Sequence, residues 1–296
     1  MMHRSWLFVP ADSARKLAKI PSSGADAVIL DLEDAVAPER KLAARELAVE
    51  CLTDTQDDGP GIWVRVNPAS SELFENDLTE IVPSGPAGIV LPKPDSFEDV
   101  LRLEQRLGAL ENEHGLAAGA IKVMPIVTET AAALAQLIGN LPAYAKLPER
   151  VVALTWGAED LAAELAAVSN KGDDGELTFT YQLARSLCHV AAATAGVGAV
   201  EGVHADFRDE PGLRRIARRA RRDGFTGMLA IHPAQVEPVN AAFTPSADEV
   251  ATAERIVAVF AAQPGAGVVG LDGKMLDRPH LLQAERVLAL ARQLAS

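Results

Sequence analysis

Cysteine is nearly missing from this chain: Cys51 and Cys188 are the only two among 296 residues. They exclude a thiolate metal cluster and a disulfide framework, and read as reduced packing residues of a cytoplasmic protein. Aromatics make up only 4%, too few for a platform on which single-stranded nucleic acid stacks. No apolar run approaches the roughly 20 residues of a membrane span, and the apolar stretch near the start is too short for a signal-peptide core. Positive charge is scarce as well. Lys and Arg total 28 against 41 Asp and Glu, a net charge of −13, so bulk attraction favours neither nucleic acid nor an anionic membrane. No Gly-rich phosphate loop is present. These absences leave small molecules as the expected partners.

What the chain does have is a series of short β-type apolar runs, nearly every one ending in a polar or charged residue. SWLFVP runs towards Asp12, AVILDLED ends in Asp31, Glu33 and Asp34, and IWVRVN ends in Arg65 and Asn67. GIVLPK closes on Lys93, IKVMPIVTE on Glu129, VVALTWGAED on Glu159 and Asp160, and GMLAIHP on His232. An unpaired charge at a buried strand end costs several kcal/mol or more by burial estimates. One shared site accounts for them better than separate accidents do. In a parallel α/β barrel all strand C-termini open onto one face, where the chemistry sits.

Strands are expected near residues 5–10, 27–33, 61–67, 88–92, 121–128, 151–156, 199–204 and 227–232. Helical patterns alternate with them, over Ser13–Ile20, Pro38–Leu52, Phe97–Glu113, Ala131–Leu141, Phe179–Ala195 and Leu213–Asp223. The last carries six arginines and reads as a solvated outer helix with its apolar stripe inward. The expected architecture is a modified (β/α)₈ TIM barrel over residues 1–233, then a C-terminal helical extension and lid over 234–296. That extension opens with a capping-box signature, SADE, before a helix at Ser246–Ala262. A Gly/Pro-rich connector and a final helix, His280–Leu294, follow.

Glu129 and Asp160 end the fifth and sixth expected strands, neighbours in a barrel. Two facing carboxylates repel unless a cation or proton lies between them. Without a Cys or His cluster, oxygen ligation suits Mg²⁺ or Mn²⁺ rather than Zn²⁺. The competing reading is that one of them caps the following helix. Arg65 stands alone in an apolar strand, a planar cation suited to a carboxylate or a developing oxyanion, or to an ion pair with Asp34. Asp31, Glu33 and Asp34 are placed to hold metal-bound water or to orient Arg65. His232 and Lys93 read more readily as structural groups than as catalytic ones. Arg4, Arg15, Lys16 and Lys19, around the first strand and helix, are the weak signal for a phosphate.

With these residues in view, the chain resembles the citrate lyase β-subunit-like family of acyl-CoA lyases, within the malyl-CoA lyase and HpcH/HpaI aldolase superfamily. The matching text is RSWLFVPAD, GADAVILDLEDAVAPERK, VRVN, VLPKP, PIVTET, WGAEDLAAEL, GFTGMLAIHPAQVEPVNAAFTPSADEV and DGKMLDRP, in order along nearly the whole chain. The resemblance implies a Mg²⁺-dependent enzyme, a homotrimer or hexamer, that reversibly cleaves a 3-hydroxyacyl-CoA such as malyl- or citramalyl-CoA into acetyl-CoA and a 2-oxo acid. It implies Glu129 and Asp160 as metal ligands and Arg65 as the grip on the 2-oxo acid. Asp277 would be the acid/base group, carried on the lid, and Phe8 and Lys19 would contact the coenzyme A thioester. The family usually has Gly at Ala11, Lys at Met228, an aliphatic–Asp pair at Val200–Glu201, and LIET where VTET stands. Two alternatives stay open: a malyl-CoA thioesterase, and the acyl-carrier-dependent lyase subunit of a citrate lyase complex.

Overall fold

In the computed structural model, which describes residues 3–54 and 59–295, each apolar run becomes a strand. They are β1 (Ser5–Pro10), β2 (Ala27–Asp31), β3 (Gly61–Arg65), β4 (Gly88–Leu91), β5 (Lys122–Pro125), β6 (Ala153–Thr155), β7 (Gly198–Glu201) and β8 (Gly227–Ala230). All run parallel, in the order β5-β4-β3-β2-β1-β8-β7-β6. Between β5 and β6 the ring is bridged by two isolated parallel contacts, Val123↔Val151 and Ile126↔Thr155, and by Val127 N–H donating to the Thr155 carbonyl at 2.9 Å. The result is a nearly closed eight-stranded barrel of the TIM type. Strands buried on both faces need apolar residues at every position, which is why they read as continuous runs.

Alternation along each strand sorts residues inward and outward. Trp6, Ala27, Ile29, Trp63, Val90, Met124, Ile126, Ala153, Val200 and Leu229 form one buried cluster inside the barrel. Trp63 meets Trp6 edge-on, centroids 5.0 Å apart, and lies over Gly88, where a Cβ would come 2.3 Å from the indole. Only glycine fits there.

The helices of the barrel are α1 (Ala14–Leu17), α2 (Lys41–Asp54), α3 (Phe74–Ile81), α4 (Phe97–Glu113), α5 (Ala131–Asn140), α6 (Ala158–Glu164), α7 (Phe179–Ala195) and α8 (Glu210–Asp223). The first expected helix shrinks to α1 and a 3₁₀ turn at Ile20–Ser22, because Pro21 cannot continue an α-helix. Nothing in the pattern announced α3. It is short and acid-rich and has no side-chain cap, yet it buries Phe74, Leu78 and Ile81 on one face. On α8 the apolar stripe of Leu213, Ala217 and Ala220 is buried, while Arg214 pairs with Glu210 and Glu237 and Arg219 with Glu176.

The chain divides into two compact units, residues 1–240 and 241–296. Helix α9 (Val236–Phe243) spans the division, and the second unit holds α10 (Ala247–Ala261), β9 (Val268–Leu271), β10 (Lys274–Asp277) and α11 (Arg278–Ala295). Ser246 and Glu249 form the expected capping box at α10. The expected Gly/Pro-rich connector contains a β-hairpin: β9 and β10 pair antiparallel around Asp272 and Gly273, with φ of 52° and 75°. Two positive φ values describe the Asp-Gly turn that matches strand twist. Helices α10 and α11 pack through Ala253, Ala284 and Leu288. Among the described residues no helix is long and apolar enough to cross a membrane.

Candidate active site

At the C-terminal rim of the barrel, the alternation that builds the core delivers charge. Asp31 and Arg65 are register partners on β2 and β3, each one inward step beyond a core residue, Ile29 and Trp63. Their side chains therefore leave the strands side by side. Arg65 donates from Nε to Asp31 Oδ1 and from Nη2 to Asp31 Oδ2, both at 2.7 Å, and its Nη1 lies 2.8 Å from Glu33 Oε2. Beneath it lies Phe8, with the guanidinium carbon 4.8 Å from the ring centroid. The two hydrogen bonds to Asp31 fix the guanidinium plane, and Glu33 adds its charge beside Nη1. Asp31 also ends β2 two residues earlier than expected, accepting the backbone N–H groups of Glu33 and Ala35, an Asx-type turn.

Lys93 is the hub the sequence did not reveal. Between Pro92 and Pro94 it adopts a left-handed backbone with φ of 47°, uncommon for a residue with a Cβ. Its Nζ lies 2.5 Å from Glu33 Oε1, 2.7 Å from Asp34 Oδ2 and 3.1 Å from Asp160 Oδ1, and its amide donates to Glu129 Oε2 at 2.7 Å. One residue thus ties together four of the expected site carboxylates. Lys41 supports the arrangement from α2: its ammonium donates to the Leu32 and Glu33 carbonyls and to Asn67 Oδ1 at 2.7, 2.8 and 2.9 Å. Asn67 in turn donates to Asp77, which is paired with the buried Arg45.

The capping alternative for the two carboxylates does not hold. Thr130, not Glu129, caps α5, accepting from the Ala133 amide at 3.0 Å. Asp160 lies in the first turn of α6, and its carboxylate reaches Lys93. Glu129 is buried, and its carboxyl is pushed well above the usual carboxylate range, first by burial and then by Asp160, with Arg65 opposing. Burial likewise raises Glu33, despite Arg65 and Lys93. At Asp34 burial is outweighed by the Lys93 hydrogen bond and charge, and its carboxyl is lowered. Gly157 leaves room for Glu129: a Cβ there would lie 2.8 Å from Glu129 Cγ. A buried carboxylate that feels the charge of a second one, beside a glycine whose missing side chain leaves it room, fits a hard divalent cation. No cluster of three or more metal-type side chains occurs among the described residues. Two carboxylates, with water or substrate completing the shell, suit Mg²⁺.

Other expected residues lie elsewhere. Arg4 precedes β1, at the N-terminal end of a barrel whose site is at the C-terminal end, and its guanidinium is taken up by Asp26 at 2.7 and 2.8 Å. Lys19 is exposed just beyond α1. Phe8 seats Arg65. His232 is exposed rather than buried; its Nδ1 accepts the Ala234 amide, and its ring stacks on Phe207. Glu201, where the resembling family has Asp, accepts from Trp156 Nε1 and Arg185 Nε at 2.6 and 2.7 Å. Asp277 lies in the second unit, at the end of β10.

Residues 4–233 match the family model described as HpcH/HpaI aldolase/citrate lyase. The chain belongs to that family. Similar relatives of the family include a (3S)-malyl-CoA thioesterase of Cereibacter sphaeroides, 35% identical over 99% of this chain and 96% of its own. Another is the mitochondrial citramalyl-CoA lyase of Rattus norvegicus, 33% identical over 97% of this chain and 86% of its own. Among solved structures of the family, the CitE protein of Mycobacterium tuberculosis in complex with magnesium, acetoacetate and coenzyme A superimposes with a TM-score of 0.80. It is 32% identical and covers 98% of each chain.

Proposed function

We propose that this family member is a Mg²⁺-dependent acyl-CoA lyase. It reversibly cleaves a 3-hydroxyacyl-CoA such as malyl- or citramalyl-CoA to acetyl-CoA and a 2-oxo acid. The observation that carries the reading is Glu129 and Asp160 together near an Arg65 whose plane is fixed by Asp31. A cation site next to an oriented guanidinium fits a small oxo acid.

Breaking the bond between the α-carbon of the thioester and the carbinol carbon requires loss of the hydroxyl proton and stabilisation of a thioester enolate. A Mg²⁺ or Mn²⁺ ion held by Glu129 and Asp160 would polarise the oxygens of the oxo acid. Arg65 donates N–H groups that Asp31 leaves free to the oxo-acid carboxylate and to the oxygen that gains charge. Glu33 takes the hydroxyl proton, and Asp34 holds Lys93 in place. Asp277 returns a proton to the enolate carbon, and Lys19 contacts the coenzyme A phosphates. The fixed cations cost no reorganisation as charge develops.

The thioesterase relative supports a second reading, in which water attacks the thioester at the same site and releases free coenzyme A. The reverse reaction tests the lyase proposal. Purified protein with Mg²⁺, acetyl-CoA and glyoxylate, pyruvate or oxaloacetate in turn is expected to yield a 3-hydroxyacyl-CoA detectable by mass spectrometry. No condensation product with any of them would overturn it.

A further inference from the structure

Asp277 does not stand alone. It closes β10, and His280 follows one turn later, at the start of α11. His280 Nδ1 lies 2.5 Å from Asp277 Oδ1, and the Asp277 amide points at the same nitrogen from 3.2 Å. Among the described residues no other group bonds to the Asp277 carboxyl, so Oδ2 is left for a ligand. The pair is 38% and 45% exposed, and an exposed ion pair contributes about 0–1 kcal/mol. Stability alone gives little reason for so close an approach.

We propose that His280 is a positioning residue and proton partner for Asp277, the two acting as one acid. This rests on the reading of Asp277 as the group that protonates the enolate. A ring nitrogen either carries hydrogen and donates, or presents its lone pair and accepts. An amide N–H aimed at Nδ1 calls for the lone pair, and a 2.5 Å approach to a carboxyl oxygen calls for a proton between the two. Both demands are met when that proton sits on Oδ1 and the carboxyl donates to the ring. An imidazolium at this place sets two N–H groups against each other.

In the form that reacts in cleavage the pair carries two protons, one on Oδ2 and one on Nδ1. In the cleavage direction the Oδ2–H bond breaks as a C–H bond forms at the enolate carbon, and the proton on Nδ1 passes to Oδ1. The enolate electron pair becomes the new C–H bond, and the pair's positive charge is discharged. Condensation runs the same steps in reverse. Across a cleft of about 320 Å³, His280 faces Asp248 and Glu249 of α10. On its other side β10 presents Asp277 itself, and on its own helix Arg278 is nearby.

The test compares His280→Asn, His280→Gln and Asp277→Asn with the unaltered enzyme. Asn can still donate to Oδ1 but cannot relay a proton. Both His280 variants are expected to melt like the parent and keep KM within about threefold, while kcat falls by about 100-fold or more, the range of a lost acid–base contribution. The alkaline limb of the kcat profile should move towards acid. In the parent, ¹⁵N spectra of the ring should show Nδ1 sharing a proton, and Asp277→Asn should abolish that signature. Unchanged kcat and pH profile in the His280 variants, with an inactive Asp277→Asn enzyme, would overturn this inference alone. An Asp277→Asn enzyme that remains active would instead overturn the catalytic reading of Asp277. The ring spectra decide whether the proton is shared in either case.

Discussion

Replacing Glu129 with Gln should make the metal-free protein more stable and end its response to Mg²⁺. Gln keeps the volume and the oxygen that accepts the Lys93 amide at 2.7 Å, and it removes only the charge. That charge is opposed by burial and by Asp160, so the folded carboxyl holds its proton more tightly than the ordinary value of 4.5. A group raised in this way contributes stability that is fully present below the unfolded value and is lost as pH rises through the folded one. The advantage of Glu129→Gln in EDTA is therefore largest at mildly alkaline pH and vanishes below about pH 4. In the parent, Mg²⁺ at about a hundred times its Kd adds about 2.7 kcal/mol. For a unit of this size that is a rise in Tm of about 5–10 °C. Melting curves by circular dichroism in EDTA and in Mg²⁺, across pH, measure both effects. A variant that still gains the parent's Mg²⁺ increment, or that melts below the parent in EDTA at every pH, would refute the ligand assignment.

Three further outcomes follow from the same geometry. Arg65→Lys keeps the charge but cannot make the paired bonds to Asp31, so kcat should fall about 100-fold or more with the fold intact; near-normal kinetics would make Arg65 a structural ion-pair residue. Gly157→Ala places a Cβ 2.8 Å from Glu129 Cγ, and is expected to cost about 1–3 kcal/mol and to weaken the Mg²⁺ increment in a melting assay. If the enzyme is an oligomer whose lid serves a neighbour's barrel, mixing Asp277→Asn with Glu129→Gln subunits under exchange should restore part of the activity. A monomer by light scattering would exclude that arrangement.

The barrel was legible because parallel strands buried on both faces leave continuous apolar runs, and all eight were placed within a few residues. Their ends were less so. Asp31 stops β2 early through its own side-chain bonds, a local competition that hydrophobicity does not record. Helix α3 escaped because its stripe is only three residues in an acidic segment, and its buried Asp77 is explained by Arg45 on another helix. The hairpin at Asp272–Gly273 carried a readable turn signal that the surrounding glycines masked. Of the candidate site, Arg65, Glu129 and Asp160 stood out as charges at apolar strand ends. Lys93 did not, since its left-handed backbone and its reach to three carboxylates exist only once distant loops meet. Nor does the sequence show that Asp26 holds the Arg4 guanidinium, a pairing formed only when β1 and β2 lie side by side.

The most direct measurement of the central claim offers purified protein malyl-CoA and citramalyl-CoA with Mg²⁺ and resolves the thioester products. Lyase chemistry predicts acetyl-CoA in equal amount with glyoxylate or pyruvate, abolished by EDTA and in Asp160→Asn. Free coenzyme A with intact malate or citramalate, and no acetyl-CoA, would contradict it and leave thioester hydrolysis as the activity of this site.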